Sequence, residues 1–326
     1  MNVVRPLLSL ASPQGRSGRL SVLVLHRVLP GPDPLYPEAI DAARFRQMCE
    51  WLRSLFTVLP LDVAVQHLQS GSLPERALAI TFDDGYADNC EVAMPILRSL
   101  GMPATVFVTT GFLNGGCMWN DIVVESFRRT WQDQVTLDDL LPAPGLQSLL
   151  LTTPTLRRAA LESVIGAVKY LPAADRLDTV HRIARRLGVT LPNDLMMSSA
   201  QVLALRQGGL QVGAHTVTHP ILTTLPLDEA RQEMQQSKTF LEQLLDERVG
   251  LFAYPNGKPG QDFDTRCVTL AKEVGFDAAV TTAPGAASSQ TDLYQLPRFT
   301  PWDRQRWRFG LRMVRNLWAS RGPLPA

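Results

Sequence analysis

Two short clusters of residues carry most of the chemistry that this sequence could perform. The first is Thr81-Phe82-Asp83-Asp84-Gly85-Tyr86, in which adjacent carboxylates close an apolar run and precede a glycine. Neighbouring side chains of an extended chain point to opposite sides, so Asp83 and Asp84 reach one site only if the backbone bends there, and Gly85 permits such a bend. Taken alone, Asp-Asp-Gly fits a plain surface turn equally well. The second cluster is His215-Thr216-Val217-Thr218-His219, which sets two of the five histidines four residues apart. At helical spacing both imidazoles fall on one face and can share a metal, and neutral imidazole suits zinc and its neighbours in the series. By itself a His-x-x-x-His pair arises by chance about as often as not. With Asp84 the pair makes three protein ligands and leaves a position open for water, the arrangement of a catalytic rather than a structural metal site.

Read together, T-F-D-D-G and H-T-x-T-H resemble the first two signature motifs of the polysaccharide deacetylases, also called NodB-homology or carbohydrate esterase family 4 enzymes. The resemblance runs from about Ser21 to Pro301, apart from a helical insertion. It implies an α/β fold, a distorted (β/α)7 barrel, acting on a carbohydrate. It also implies that Asp83 is the general base and that Asp84, His215 and His219 hold a divalent metal, with zinc expected and cobalt or nickel as alternatives. A third segment, Phe252-Ala253-Tyr254-Pro255-Asn256-Gly257, is similar to the family's F-R-P-P-Y-G motif but has Ala253 where the family has arginine. That arginine orients the catalytic aspartate, so another residue must do so here, and Arg298 in Leu296-Pro297-Arg298 is the candidate. The F-A-Y-P form is similar to the branch that includes biofilm poly-N-acetylglucosamine deacetylases. The family's oxyanion contact, a backbone N–H, corresponds to Asn256.

No histidine follows His219, so the family's C-terminal general-acid histidine is absent. Val24-Leu25-His26-Arg27-Val28 resembles the Y-H-x-V segment of the same branch, where the acid lies upstream, which makes His26 the expected proton donor; on the alternative reading it merely ends a strand. His67 and His181 sit in helical contexts and read as surface or packing residues. Tyr86, Trp119, Asp121, Tyr254 and Pro255 are candidates for the sugar site; for Tyr86, Trp119 and Asp121, packing in the core or the insertion is an equal alternative. Thr216 and Thr218 fit the orientation of the histidine loop better than contact with substrate.

These residues need elements to hold them. Leu20–Leu25, Ala77–Phe82, Ala104–Thr109, Leu210–Ala214, Val249–Ala253 and Ala278–Thr282 read as buried strands, and helical spacing marks Asp41–Phe56, Asn89–Leu100 and Leu227–Leu245. Strands alternating with helices predict a parallel sheet or barrel, with function gathered where strands end. The expected organisation is an extension over 1–19, a barrel over 20–300 with a helical insertion at about 120–199, and a basic amphipathic tail over 301–326. In that tail Arg304, Arg306, Arg308, Arg312, Arg315 and Arg321 alternate with Trp302, Trp307, Trp318 and aliphatic residues. Residues 302–321 fit either contact with an anionic membrane surface or a solvated helix packed back on the barrel.

The 326 residues are 45% hydrophobic and carry a formal net charge of +1, which suits a globular chain with a sizeable core and argues against broad attraction for nucleic acid. Cys49, Cys90, Cys117 and Cys267 are scattered, without C-x-x-C spacing, and read as free thiols rather than disulfides or zinc ligands. The first residues lack the pattern of a signal peptide, so a cytoplasmic location is expected, with the tail touching the inner face of the membrane if it binds lipid. The expected activity is removal of an N-acetyl group from an amino sugar, in a polysaccharide or in a lipid- or nucleotide-linked precursor. An amino-sugar deformylase uses the same machinery, and a non-catalytic carbohydrate-binding barrel is the competing class, motivated by Ala253.

Overall fold

The computed structural model describes residues 4–141, 146–300 and 302–319. Along the chain it contains α1 Val4–Ala11, β1 Ser21–Leu25, α2 Ala42–Leu55, β2 Thr57–Val58, α3 Leu61–Ser70, β3 Ala77–Phe82, α4 Met94–Ser99 and β4 Thr105–Val108. There follow α5 Trp119–Arg129, β5 Gln134–Val135, β6 Leu149–Leu150, α6 Pro154–Val168, α7 Ala173–Arg186, α8 Ser199–Gln207 and β7 Gln211–Ala214. The last elements are α9 Leu227–Leu245, β8 Leu251–Ala253, α10 Thr265–Glu273, β9 Ala278–Val280 and α11 Arg306–Trp318. The chain forms two compact units. One comprises residues 1–30, 41–113 and 197–326; the other comprises Gly31–Ile40 and Asn114–Met196.

The first unit is a distorted barrel built on a curled parallel sheet in the order β1-β3-β4-β7-β8-β9, with β2 beside the start of β3. Burial of every residue of β1, β3 and β4 explains why these strands read as unbroken apolar runs instead of alternating patterns. Beyond β9 the chain supplies a short extended piece, Leu296–Phe299. It bridges in parallel to Val280 of β9 through Leu296 and to Leu23 of β1 through Phe299. This piece takes the seventh strand's place between the sheet's two ends, and it carries Arg298.

Helix starts are written locally. Asp41 caps α2 by accepting from Arg44 N at 2.8 Å, and Ser198 and Gln201 form a reciprocal capping box at α8. The predicted helix over Asn89–Leu100 is modified. Pro95 has no N–H to give to the preceding turn, and Met94 N–H reaches five residues back to Asn89 O, so Asn89–Ala93 is a π-type turn ahead of α4. The stretch read as a plain extension contains α1, where Pro6 falls in the first turn and interrupts no helical bond. Leu8 of α1 is fully buried.

The second unit has its own core, centred on Ile122, Phe127, Leu161, Val164, Val180 and Ile183 from α5, α6 and α7. Beside the expected helices it contains a small antiparallel pair, β5 with β6. The loop Gly31–Ile40, distant in sequence, belongs to it: Asp33 pairs with Arg128 at 2.6 Å, and Arg158 lies 4.9 Å over the ring of Tyr36. Pro142, Pro144, Pro301 and Arg321 lie outside the described residues.

Candidate active site

β3 delivers Asp83 and Asp84 at its C-terminal end. The bend anticipated at Gly85 begins one residue earlier: Asp84 has φ 77° and Gly85 φ 87°. Two successive left-handed residues break the alternation of the strand and let neighbouring carboxylates share a site. A Cβ on Gly85 would sit 3.2 Å from Val108 Cγ1, so the turn also presses on β4.

β7 ends at Ala214, and His215–His219 form a loop rather than a helical turn. The expectation of helical spacing is thereby corrected: the imidazoles converge because Thr216 (φ 64°) and His219 (φ 56°) turn the chain back. A β-branched residue in this region is held only by its surroundings. Thr216 Oγ1 accepts from His219 N at 3.1 Å. Glu233 of α9 accepts from Val217 N and Thr218 N, each at 2.8 Å, and from the Thr218 hydroxyl at 2.7 Å. Asp84, Thr216, His219 and Asn256 are four of the seven non-glycine residues with positive φ among those described, so strained backbone is concentrated around this one site.

The ligand atoms of Asp84, His215 and His219 lie within 4.8 Å of one another. Asp84 Oδ1 is 3.4 Å from His215 Nε2 and 3.5 Å from His219 Nε2. A tetrahedral ion held at about 2.1 Å by each ligand separates those ligands by roughly 3.4 Å. Asp84 Oδ1 is buried and accepts no hydrogen bond, which costs at least about 1–3 kcal/mol unless a cation answers it. His215 donates Nδ1–H to the carbonyl of Ala253 at 2.7 Å, which fixes the tautomer with the Nε2 lone pair facing Asp84. The residues present therefore fit a divalent metal.

Charge follows the same pattern. Burial works to raise the Asp84 carboxyl, but His215, His26 and His219 outweigh it and hold the group well below the usual carboxylate range. Burial lowers His219 to about 4 against the pull of Asp84, so its imidazole is neutral and free to ligate at neutral pH. At His215 burial is overcome by Asp84 and Asp83, and its pKa is raised; the carboxylate field that favours a proton there also favours a cation.

Asp83 is gripped by Arg298, whose Nη1 donates to Oδ1 at 2.7 Å and Nη2 to Oδ2 at 2.6 Å. The guanidinium is itself anchored by Nε to Thr281 O at 2.8 Å and by Nη1 to the Thr81 hydroxyl at 3.1 Å. Arg298 is 1% and Asp83 3% exposed. Burial raises the Asp83 carboxyl, yet Arg298 outweighs it with help from His215 and His26, so the pKa falls and the group stays ionised.

His26 follows β1 and is exposed at the same rim, its charge acting on Asp83, Asp84 and His219. Two residues that sequence reasoning missed hold its loop. Asn89 Nδ2 donates to His26 O at 2.8 Å, while Asp88 accepts from Val28 N at 3.0 Å and from Arg27 Nε at 2.7 Å. The available signal in the sequence was a polar pair, Asp88-Asn89, at the head of an apolar helical run close to the Asp-Asp motif. Glu233 carried none, being one acid among many on a helix surface.

Asn256 sits after β8 with φ 58°, exposed, and its N–H donates to no acceptor among the described residues. Two side chains expected at the sugar site are buried. Tyr254 is fully buried, stacked on Phe263 with centroids 3.9 Å apart and bonded through its hydroxyl to Tyr294 O at 3.1 Å. Tyr86 is buried under Arg27, which lies 4.8 Å over its ring. Pro255 is buried too, and its carbonyl accepts from Gly257 N at 2.6 Å. Trp119 and Asp121 belong to the second unit, where Arg176 covers the half-buried Trp119 ring at 4.9 Å and Asp121 is buried.

A sequence model of the family described as polysaccharide deacetylase matches residues 70–134 and 167–279, more than half of the chain. The chain is 20% identical over 285 residues to the Bacillus subtilis (strain 168) protein YxkH, which bears a polysaccharide deacetylase name; the match covers 87% of this chain and 71% of that protein. Among solved structures, the Streptococcus pyogenes deacetylase PplD in complex with acetate is similar with a TM-score of 0.59, at 18% identity over 92% of this chain and 98% of PplD. IcaB from Ammonifex degensii gives 0.57 at 19% identity, over 94% of this chain and 99% of that one. Identities this low speak for a shared fold.

Proposed function

The chain belongs to the polysaccharide deacetylase family, hydrolases of linear amide carbon–nitrogen bonds, and from that premise we propose that it removes the N-acetyl group of an amino sugar with a divalent metal held by Asp84, His215 and His219. The observation that carries this reading is the pairing of a donor-less buried Asp84 oxygen between two imidazole nitrogens with an adjacent Asp83 kept ionised. When bound, the metal supplies Lewis-acid polarisation of the amide carbonyl and acidifies water.

The chain's own groups do the rest. Asp83, oriented by the Arg298 fork, accepts the proton of the attacking water. The Asn256 N–H donates to the oxyanion that develops on the former carbonyl oxygen. His26, in its protonated form, gives a proton to the departing nitrogen, so that one amide and one water become acetate and a free amine. The Arg298 fork on Asp83 supports catalysis over a non-catalytic barrel, because it offers Asp83 the guanidinium that Ala253 does not.

Released acetate and formate measured on a panel of N-acetylated and N-formylated amino sugars test the reaction. Asp83→Asn is expected to lower kcat by about 10²–10⁴-fold with the metal retained. Full activity in that variant, or a purified protein that takes up no zinc, cobalt or nickel, refutes the reading.

A further inference from the structure

Helix α11 is fixed by one face and bare on the other. Phe309, Met313, Val314 and Leu317 are buried, Phe309 lies 5.8 Å from the Trp51 ring, and Asn316 donates to Gly285 O at 2.9 Å. A Cβ on Gly310 would lie 2.5 Å from Val4 Cγ1, so α1 is packed closely against it. The outer face carries Trp307, Leu311 and Trp318, which are 55%, 45% and 58% exposed. At 100° per residue these three fall within roughly 40° of one another and form an apolar ridge. Arg308, Arg312 and Arg315 fall within roughly 60° of one another alongside it. A shallow groove of ≈ 370 Å³ runs between the two rows.

The helix and its lead-in, residues 302–319, hold five arginines against one aspartate, whereas the whole chain is balanced at +1. Arg312 is paired with Asp303 at 2.6 Å. The guanidinium groups of Arg308 and Arg315 make no hydrogen bond or ion pair among the described residues, although Arg308 leans over the Trp307 ring at 5.3 Å. Exposed tryptophans at both ends of a helix, with arginine stems able to lie along the apolar row while their heads reach outward, match the boundary between headgroups and acyl chains.

We propose that the outer face of α11 seats the protein on an anionic phospholipid bilayer. The contact is peripheral: among the described residues no helix is long and apolar enough to cross a membrane. Past Phe299 the lead-in meets α2, where the Asp303 carbonyl accepts from Arg44, and the helix runs on until the Leu317 carbonyl accepts from Arg19, just ahead of β1. On the deacetylase reading, that seating favours an amino sugar carried on a lipid.

Vesicle flotation of the full chain tests the contact without any appeal to catalysis. Binding is expected on phosphatidylcholine vesicles containing about one-third phosphatidylglycerol, with little on phosphatidylcholine alone and a steep loss at about 0.5 M salt. R308Q/R315Q should weaken partition on the order of thirtyfold, about fivefold for each charge. W307A/W318A should weaken it comparably, and both pairs should keep the parent's melting temperature and its activity on a soluble substrate. Equal binding to neutral and anionic vesicles, no binding to anionic ones, or undiminished binding by R308Q/R315Q overturns the proposal.

Discussion

With both oxygens of Asp83 bound by one guanidinium and neither partner exposed, Arg298 and Asp83 are energetically inseparable. Removing one member leaves the other charged and buried, which costs about 3–5 kcal/mol, whereas the intact pair contributes little beyond its own desolvation. Arg298→Met is expected to lose stability on that scale and to raise the Asp83 carboxyl, because the guanidinium is what overcomes burial there. The sign of the pH effect follows. In the parent protein Asp83 is depressed, so the pair stabilises above the unfolded carboxylate value of about 4 and that stability is lost as pH falls through the depressed value. In the variant the carboxyl lies above its unfolded value, so stability is lost as pH rises. The gap between the two proteins should widen from acid to neutral pH, and denaturant titrations at about pH 4 and pH 7 decide it; a gap that narrows toward neutrality is incompatible with an ionised Asp83. Arg298→Lys should recover the charge but not the fork, leaving kcat low.

Among the elements, the β7–α9 connection carries the most consequence, because a five-residue loop with two left-handed positions holds both imidazoles. Glu233 takes three donors from that loop. Glu233→Gln offers one acceptor oxygen where there were two and turns an NH2 group toward donors. Metal affinity is expected to fall about 10–100-fold, the scale for a residue that orients ligands, as read by competition with a chromogenic chelator. Unchanged affinity shows that the loop holds its shape without the clamp. The same loop marks how far the sequence could be read. The residue types of the site were plain, and so was the need to replace the arginine missing at Ala253. The convergence of His215 and His219 was expected for the wrong local reason, since four-residue spacing is shared by a helix and by a chain turned back through φ near 60°. Tyr254 stood among the candidates for the sugar site, but its stacking on Phe263 is a non-local fact of packing. The barrel strands were legible because burial on both faces makes them continuous apolar runs. α1 was hidden by Pro6, and the Gly31–Ile40 loop by its long separation from the unit it joins.

Across the whole molecule, a metal held by Asp84, His215 and His219 would be coupled to the fold through the unit that carries the barrel, because all three come from it. An ion that binds the native arrangement and not the unfolded chain stabilises it by about 2.7 kcal/mol at a free concentration near 100 times its Kd. That linkage reaches the segments that supply ligands: the end of β3, the loop after β7, and Ala253 at the end of β8, whose carbonyl holds His215. The second unit has its own apolar core in α5, α6 and α7 and, among its described residues, contributes none to the Asp84–His215–His219 cluster. A single melting temperature is therefore a poor measure of metal removal, since two units need not unfold in one step. Hydrogen exchange resolves them. Stripping the metal with a chelator is expected to speed exchange in peptides spanning Ala77–Phe82, Gln211–Ala214 and Leu251–Ala253, with recovery on adding zinc. Peptides from Pro154–Val168 and Ala173–Arg186 should keep their rates and act as the internal reference. Slowed exchange confined to those reference peptides on metal addition is the result that places the ion elsewhere.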